Sequence, residues 1–302
     1  MRRKPLLLLC ATLLIAAGGC SSEPGDEPSS GSPATGGEAV GGAGGWSIPA
    51  GGGGASSTEG AVYVNTQSKL LRLEPSAKTL TEVGDFDCVL LTPDPSDSQD
   101  GMADLALSAQ GEMYGVGRIS AAKEFSIVKI DKTTAHCTQV ATADATASVI
   151  GLTFVPAEAS SSGAEELVGL MLDGALVRYD LPSGAPTTFG QLSGAAKAGD
   201  LVSLAGGDTF ATGNAAGGTE LLIIDPATGA VTSDVGNTGV PLLAGLGFWA
   251  GTLYGFSADG KLFAIDPATA EATEVPVAGA PTGSLVFWGA AVTTVAPLDP
   301  PN

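Results

Sequence analysis

Side chains able to do acid–base, nucleophilic or metal chemistry are few in this 302-residue chain, and they are scattered along it. His136 is the single histidine, so a Ser-His-Asp arrangement would have to use it, and no Gly-x-Ser-x-Gly elbow accompanies it. The HExxH pattern of metallopeptidases and the GxxxxGK(S/T) phosphate loop are both absent from the sequence. Cys88 and Cys137, taken with His136 as a redox or metal group, would offer three ligands and no CxxC spacing, which falls short of a zinc set. The remaining constellation is acidic. Asp94, Asp97, Asp100 and Asp104 lie within Pro93 to Leu105, and Asp200 precedes the equivalent stretch further along. Oxygen-rich loops of this kind can coordinate Ca²⁺, although the spacing is not that of an EF-hand. Acidic surface loops are ordinary in so acidic a chain, so no cofactor is expected, with Ca²⁺ at these four aspartates as the alternative.

The elements that would position these residues are legible in Gly251 to Val275, GTLYGFSADGKLFAIDPATAEATEV. Two alternating apolar runs flank Asp259-Gly260, a dipeptide that tolerates the positive φ of a hairpin turn. Asp266-Pro267 marks the next bend, with Asp bonding the backbone ahead of it and Pro fixing φ, and EATEV supplies a third strand. The third-strand turn recurs at Leu73-Glu74-Pro75, Ile130-Asp131-Lys132, Tyr179-Asp180-Leu181, Ile224-Asp225-Pro226 and Ile265-Asp266-Pro267, at spacings of 57, 49, 45 and 41 residues. Those intervals match a four-stranded propeller blade.

A further apolar run stands ahead of each later unit: Leu105–Leu107, Leu152–Phe154, Val202–Leu204 and Leu246–Phe248. A fifth copy, Leu285–Phe287, has no unit after it, while the first unit, opening at Ala61-Val62-Tyr63-Val64, has no run before it. A ring explains both. The C-terminal run would become the innermost strand of the blade that the N-terminal strands begin, which removes the open sheet edges. The expected fold is an all-β, five-bladed β-propeller over residues 60–297; Ala291–Val295, read as one more strand competing for the second slot, would give six irregular blades. In that frame Cys88 follows the outer strand of one blade and Cys137 begins the outer strand of the next, so a disulfide between them would join adjacent blades. Closing a loop of that size stabilises by about 4 kcal/mol on the chain-entropy account.

The N-terminal segment has a different character. Arg2, Arg3 and Lys4 precede an apolar stretch from Leu6 to Ala17, shorter than a membrane span, and residues 1–19 are predicted to be an export signal. Ala17-Gly18-Gly19-Cys20 resembles a bacterial lipobox, which implies a diacylglycerol on the Cys20 thiol; by the same resemblance Ser21 favours the outer membrane. From residue 20 to 58 the chain is rich in Gly, Ser and Pro, and it is predicted to form a disordered tether with a reach of about 35 Å.

The repeats also carry a resemblance. With Val62-Tyr63-Val64-Asn65 opening the first and LLIIDPATGAV at Leu221 to Val231 in the fourth, they are similar to bacterial YVTN, PQQ-like and WD40-like propeller repeats. That resemblance implies a fold and not an activity. Quinoprotein blades of the group have a Trp after the Thr-Gly turn, and none follows Thr228-Gly229.

Charge completes the reading. Removing the three cations of the signal from the net −19 leaves −22, without a basic patch, which disfavours nucleic acid and anionic lipid headgroups as partners. The sequence therefore predicts a monomeric, lipid-anchored binding or scaffolding module for a protein, peptide or glycan, and not an enzyme. The alternatives are a lactonase- or lyase-like propeller enzyme using carboxylates and Ca²⁺, and a structural surface protein without a discrete ligand.

Overall fold

The computed structural model describes residues 61–91, 100–120, 125–142, 149–192, 199–281 and 285–300. The expected signal, Cys20, the tether, Asp94 and Asp97 lie outside these residues.

Among the described residues, twenty strands form five four-stranded antiparallel sheets. The first blade holds β1 (Val62–Asn65), β2 (Lys69–Glu74) and β3 (Thr79–Asp85); the second holds β4 (Gly101–Leu107), β5 (Met113–Arg118), β6 (Phe125–Ile130) and β7 (Cys137–Thr142). The third consists of β8 (Val149–Val155), β9 (Glu166–Met171), β10 (Ala175–Tyr179) and β11 (Pro186–Gln191). The fourth consists of β12 (Leu201–Ser203), β13 (Thr209–Ala215), β14 (Gly218–Ile224) and β15 (Val231–Asn237). The fifth is β16 (Leu243–Trp249), β17 (Thr252–Ser257), β18 (Leu262–Ile265) and β19 (Ala272–Val275). β20 (Gly289–Ala291) then pairs with β1 as the innermost strand of the first blade, Tyr63 opposite Ala291 and Asn65 opposite Gly289. The fold is a five-bladed β-propeller closed by the C-terminal strand.

Two details differ from the sequence expectation. The closing strand is Gly289–Ala291 and not Leu285–Phe287, which instead leads into it. Phe287 is buried edge-on against Phe256 at a centroid distance of 5.4 Å, and the Trp288 N–H bonds the Asn65 carbonyl. The apolar run was the stronger signal, but the strand that reaches the crowded axis has to be small. Ala291–Val295 does not compete for the second slot, because β1 fills it. The chain after Val292 instead crosses the end of the ring where the inner strands finish. Thr293 Oγ1 donates to the Ser108 carbonyl, Thr294 Oγ1 reaches Glu165 Oε1 at 2.7 Å, the Ala205 N–H bonds the Thr294 carbonyl, and the Ala250 N–H bonds the Pro297 carbonyl. One short segment thus ties together four blades.

Burial falls from the axis outward. β8 and β12 are buried almost throughout, whereas β11 and β15 are mostly exposed. The core lies in wedges between blades, as between the first and second (Tyr63, Leu70, Met102, Leu105, Val128) and between the third and fourth (Leu170, Leu176, Leu201, Ala211, Leu222). Packing at every interface leaves no separate centre to the core.

The recurring acidic turn builds the rim. In the last four copies the residue at the acidic position accepts, through its carbonyl, an N–H four residues on: Ala135 to Asp131, Gly184 to Asp180, Gly229 to Asp225 and Ala270 to Asp266. Asp131, Asp225 and Asp266 also cap the N–H two residues ahead with Oδ1. The turn then needs a left-handed residue, and Lys78, Ala135, Gly184, Gly229 and Ala270 all have φ between 52° and 74°. These turns meet the neighbouring blade: Gly84 packs on Thr134 and Ala135, Gly190 on Gly229, and Gly236 on Ala270. The Cys88–Cys137 disulfide, with its Cα atoms 5.8 Å apart, bridges the first two blades at this rim contact.

Gly229 combines both constraints. Its φ is +74°, and an added Cβ would lie 2.8 Å from Leu176 Cδ1 and 2.9 Å from Gly190 Cα. Gly229→Ala is expected to destabilise the domain by roughly 2 kcal/mol or more, from left-handed strain plus overpacking. Urea unfolding checks this, with the midpoint falling at unchanged slope.

Candidate functional site

The inner strands run side by side and each contributes one residue to a single level on the axis. Going round the ring these residues are Gly289, Asp104, Gly151, Asp200 and Gly245. Adjacency is shown by backbone approach. A Cβ on Gly289 would lie 1.7 Å from Asp104 Oδ1, one on Gly151 would lie 3.0 Å from Asp200 Cα, and one on Gly245 would lie 2.8 Å from the Gly289 carbonyl carbon. Gly289 leaves room for the Asp104 carboxyl, and Gly151 and Gly245 let neighbouring inner strands approach closely.

Just before this level the pairing of β4, β8 and β16 slips by a residue, between Met102 and Asp104, Val149 and Gly151, and Leu243 and Gly245. Such bulges re-aim the next backbone groups. The N–H groups of Leu105, Leu152, Leu201, Leu246 and Ala290 turn to the axis, and two side chains take all five. Asp104 accepts from Leu105 at 2.7 Å and from Leu152 of the next blade at 2.5 Å. Asp200 accepts from Leu201 and from Leu246 of its own next blade, each at 2.6 Å, and also from Ala290. The two carboxyls are hydrogen-bonded to each other as well.

Both side chains are fully buried. Burial pushes the Asp104 carboxyl well above its ordinary range, and the adjacent Asp200 charge pushes it further. Burial also raises Asp200, to about 7, opposed by the bond from Asp104 and by the backbone N–H groups. Two carboxyls this close share a proton and titrate as a pair. The pair has acid–base capacity in its protonation but no surface to offer a substrate.

Of the four aspartates read from the sequence as Ca²⁺ ligands, Asp94 and Asp97 lie outside the described residues, and the other two have different settings. Asp104 belongs to the axial pair. Asp100 is buried and its Oδ1 lies 3.1 Å from Arg118 Nη1. Pairing of Asp104 with Asp200 was missed by the sequence reading. Its signal is a repeated (Asp/Gly)-Leu step at the head of the inner runs, namely Asp104-Leu105, Gly151-Leu152, Asp200-Leu201 and Gly245-Leu246.

A second cluster lies at the rim. Asp87 Oδ2 is 2.5 Å from His136 Nδ1, and Asp87 Oδ1 accepts the Cys137 N–H at 3.0 Å. That N–H bond, then the His136 bond, hold the Asp87 carboxyl below its usual range. Among the described residues, Asp87, Cys88 and Cys137 have ligating atoms within 4.8 Å of one another. Sequence reading named both cysteines and His136 but not Asp87, an ordinary aspartate until the fold sets it opposite His136.

No protein-family model and no curated protein matches this chain. Solved structures similar to it include a glutaminyl cyclase from Myxococcus xanthus, at 19% identity over 63% of this chain and 69% of that one, with a TM-score of 0.40. BamB from Moraxella catarrhalis is 14% identical over 72% and 70%, with a TM-score of 0.34. A gluconolactonase from Xanthomonas campestris is 15% identical over 64% and 67%, with a TM-score of 0.37. The propeller assignment rests on this chain's own strand order.

The axial pair gives the domain a pH dependence. An unfolded Asp titrates near about 3.9, so between roughly pH 4 and 7 the folded chain holds protons that the unfolded chain has released. Raised carboxyl pKa values therefore contribute stability at the acid side of this window that is lost as pH rises. Asp104→Asn keeps a donor toward Asp200 and removes one titration. Its melting temperature should fall less between pH 5 and pH 8 than that of the parent chain. Parallel curves for the two proteins would show that the pair does not titrate as described.

Proposed function

We propose that this protein is an exported, lipid-anchored β-propeller of the cell envelope that acts as a binding or scaffolding module, recognising its partner through the face where the inner strands begin. The observation that carries this reading is the closure of the axis. The carboxyls on which an axial reaction would draw, Asp104 and Asp200, are 0% exposed and engaged by five backbone N–H groups. The opposite end of the ring is crossed by Thr293 to Pro297. What remains for recognition is the set of blade-to-blade crossings and hairpins at the end where β4, β8 and β16 start. Three large apolar side chains are exposed there: Leu91, Leu172 and Val286, each between 46% and 49%. Apolar residues on otherwise polar loops are the usual anchors of protein interfaces.

The anchor supports the same orientation. The first described residue, Ala61, lies on the end that the C-terminal segment crosses, the end to which a tether from Cys20 would connect. The acidic surface, with no basic patch, favours a protein, peptide or glycan over nucleic acid.

A photo-reactive amino acid placed at Leu91, Leu172 or Val286 in cells should give a discrete adduct that the same probe at Val140 or Val231, on the outer strands, does not. Equal labelling from both sets, or none from either, would contradict the assignment of the face. In the same strain Cys20→Ala should abolish acyl labelling and release the protein from the membrane fraction. Retention of the acyl label would contradict the anchor.

A further inference from the structure

The rim cluster offers more than a crosslink. Two dipeptides from different blades, Asp87-Cys88 and His136-Cys137, face each other: the ligating atoms of Asp87, Cys88 and Cys137 lie within 4.8 Å of one another, and His136 stands beside them on Asp87, from which its ring would have to swing to complete a four-ligand set. The sulfurs are bonded, with Cα atoms 5.8 Å apart, and Asp87 and His136 touch at 2.5 Å. Two thiolates, an imidazole and a carboxylate form a tetrahedral donor set of the type that binds a borderline divalent cation such as Zn²⁺. Counting cysteines and histidine gave three ligands; Asp87 is the fourth.

We propose that Asp87, Cys88, His136 and Cys137 form a redox-gated zinc-class metal site, closed as a disulfide and opened to the cation by reduction. A dithiol reductant would perform the opening. Its thiolate attacks one cystine sulfur and expels the other cysteine as a thiolate, which leaves a mixed disulfide. Its second thiolate then displaces the remaining cysteine, and the reductant leaves as its own disulfide, having passed two electrons to the protein. The two cysteines take up two protons, and metal binding returns those protons to solvent as the sulfurs become ligands.

The site is held by bonds that do not pass through the disulfide. The Cys137 N–H is bound by Asp87 Oδ1, the Ser120 N–H by the Cys88 carbonyl at 2.7 Å, and the Asp131 N–H by the His136 carbonyl at 2.8 Å. Gly84 packs directly on Thr134 and Ala135, which fixes the first blade against the turn that carries His136. Reduction therefore releases the sulfurs without releasing their backbones. The sulfurs have to rotate apart to a metal-ligand separation, and the outward ends of the site allow it. Cys88 is only partly buried, and the side chains of Asp87 and His136 are 53% and 64% exposed. A cation has a route in from solvent.

The test uses the full chain, oxidised or reduced with a phosphine, and Co²⁺ as a spectroscopic stand-in for Zn²⁺. Reduced protein should bind one Co²⁺ with thiolate-to-cobalt charge transfer and the intense visible bands of a tetrahedral site, and Zn²⁺ should displace it. Oxidised protein should leave Co²⁺ in its aqueous spectrum. Asp87→Asn and His136→Ala, which keep both thiols, should each weaken binding by at least about tenfold. Zn²⁺ should also raise the melting temperature of the reduced protein and not of the oxidised one. The proposal is overturned if reduced protein leaves the Co²⁺ spectrum unchanged, if oxidised and reduced protein bind alike, or if both substitutions leave affinity intact. It is equally overturned if the reduced chain loses its fold and Zn²⁺ does not restore it.

Discussion

Five backbone N–H groups converge on the axis of this ring, and everything inward of the rim depends on their being satisfied. Each donates to a carboxyl that is fully buried, where an unmet donor costs about 1 to 3 kcal/mol. Two carboxyls meet all five because each reaches its own strand and the next blade, and Asp200 reaches the closing strand too. Charge makes these strong bonds, but two charges cannot be buried side by side. The shared proton resolves the conflict. It lowers the negative charge that the pair must carry while the five partial positive charges stay satisfied. The glycines at the other three positions fit the crowding at this level: a side chain on Gly289 would displace the Asp104 carboxyl, and one on Gly151 or Gly245 would strike the backbone of the neighbouring inner strand.

The same constraint sorts the polar groups by place. Asp104 and Asp200 are engaged in closing the ring, and one end is crossed by the chain's own C-terminal segment. Exposed apolar residues on one face, and the Asp87–His136 contact beside the disulfide at the rim, lie at the periphery. Architecture of this kind suits recognition spread over loops, with stability supplied by repeated interfaces between blades.

Much of the fold was legible because its signals are local. The Asp-Pro and Thr-Gly turns, spaced by one blade, report the left-handed residue that each rim turn needs, and Cys88 follows the outer strand of one blade where Cys137 begins that of the next. Closure was legible in kind but misplaced by a few residues. Leu285–Phe287 imitates an inner run in hydrophobicity, whereas Gly289–Ala291 is chosen by the space at the axis, a property of all five blades together. The acidic residues were least legible. Asp104 and Asp100 sit four apart and look like one loop of ligands, yet one turns to the axis and the other to Arg118. Asp200, 96 positions beyond Asp104, is its actual partner. Asp87 likewise has no local signal, since its role depends on a turn 49 residues away.

Amide hydrogen exchange, read residue by residue, is the most direct measure of whether the axial bonds hold the ring together. The Leu105, Leu152, Leu201, Leu246 and Ala290 amides should be among the slowest in the domain. In Asp200→Ala all five should quicken together, including Leu105 and Leu152, which Asp104 and not Asp200 accepts. Acceleration confined to Leu201, Leu246 and Ala290, or five amides that exchange as fast as those of the outer strands, would contradict the claim that the two carboxyls act as one lock on all the blades.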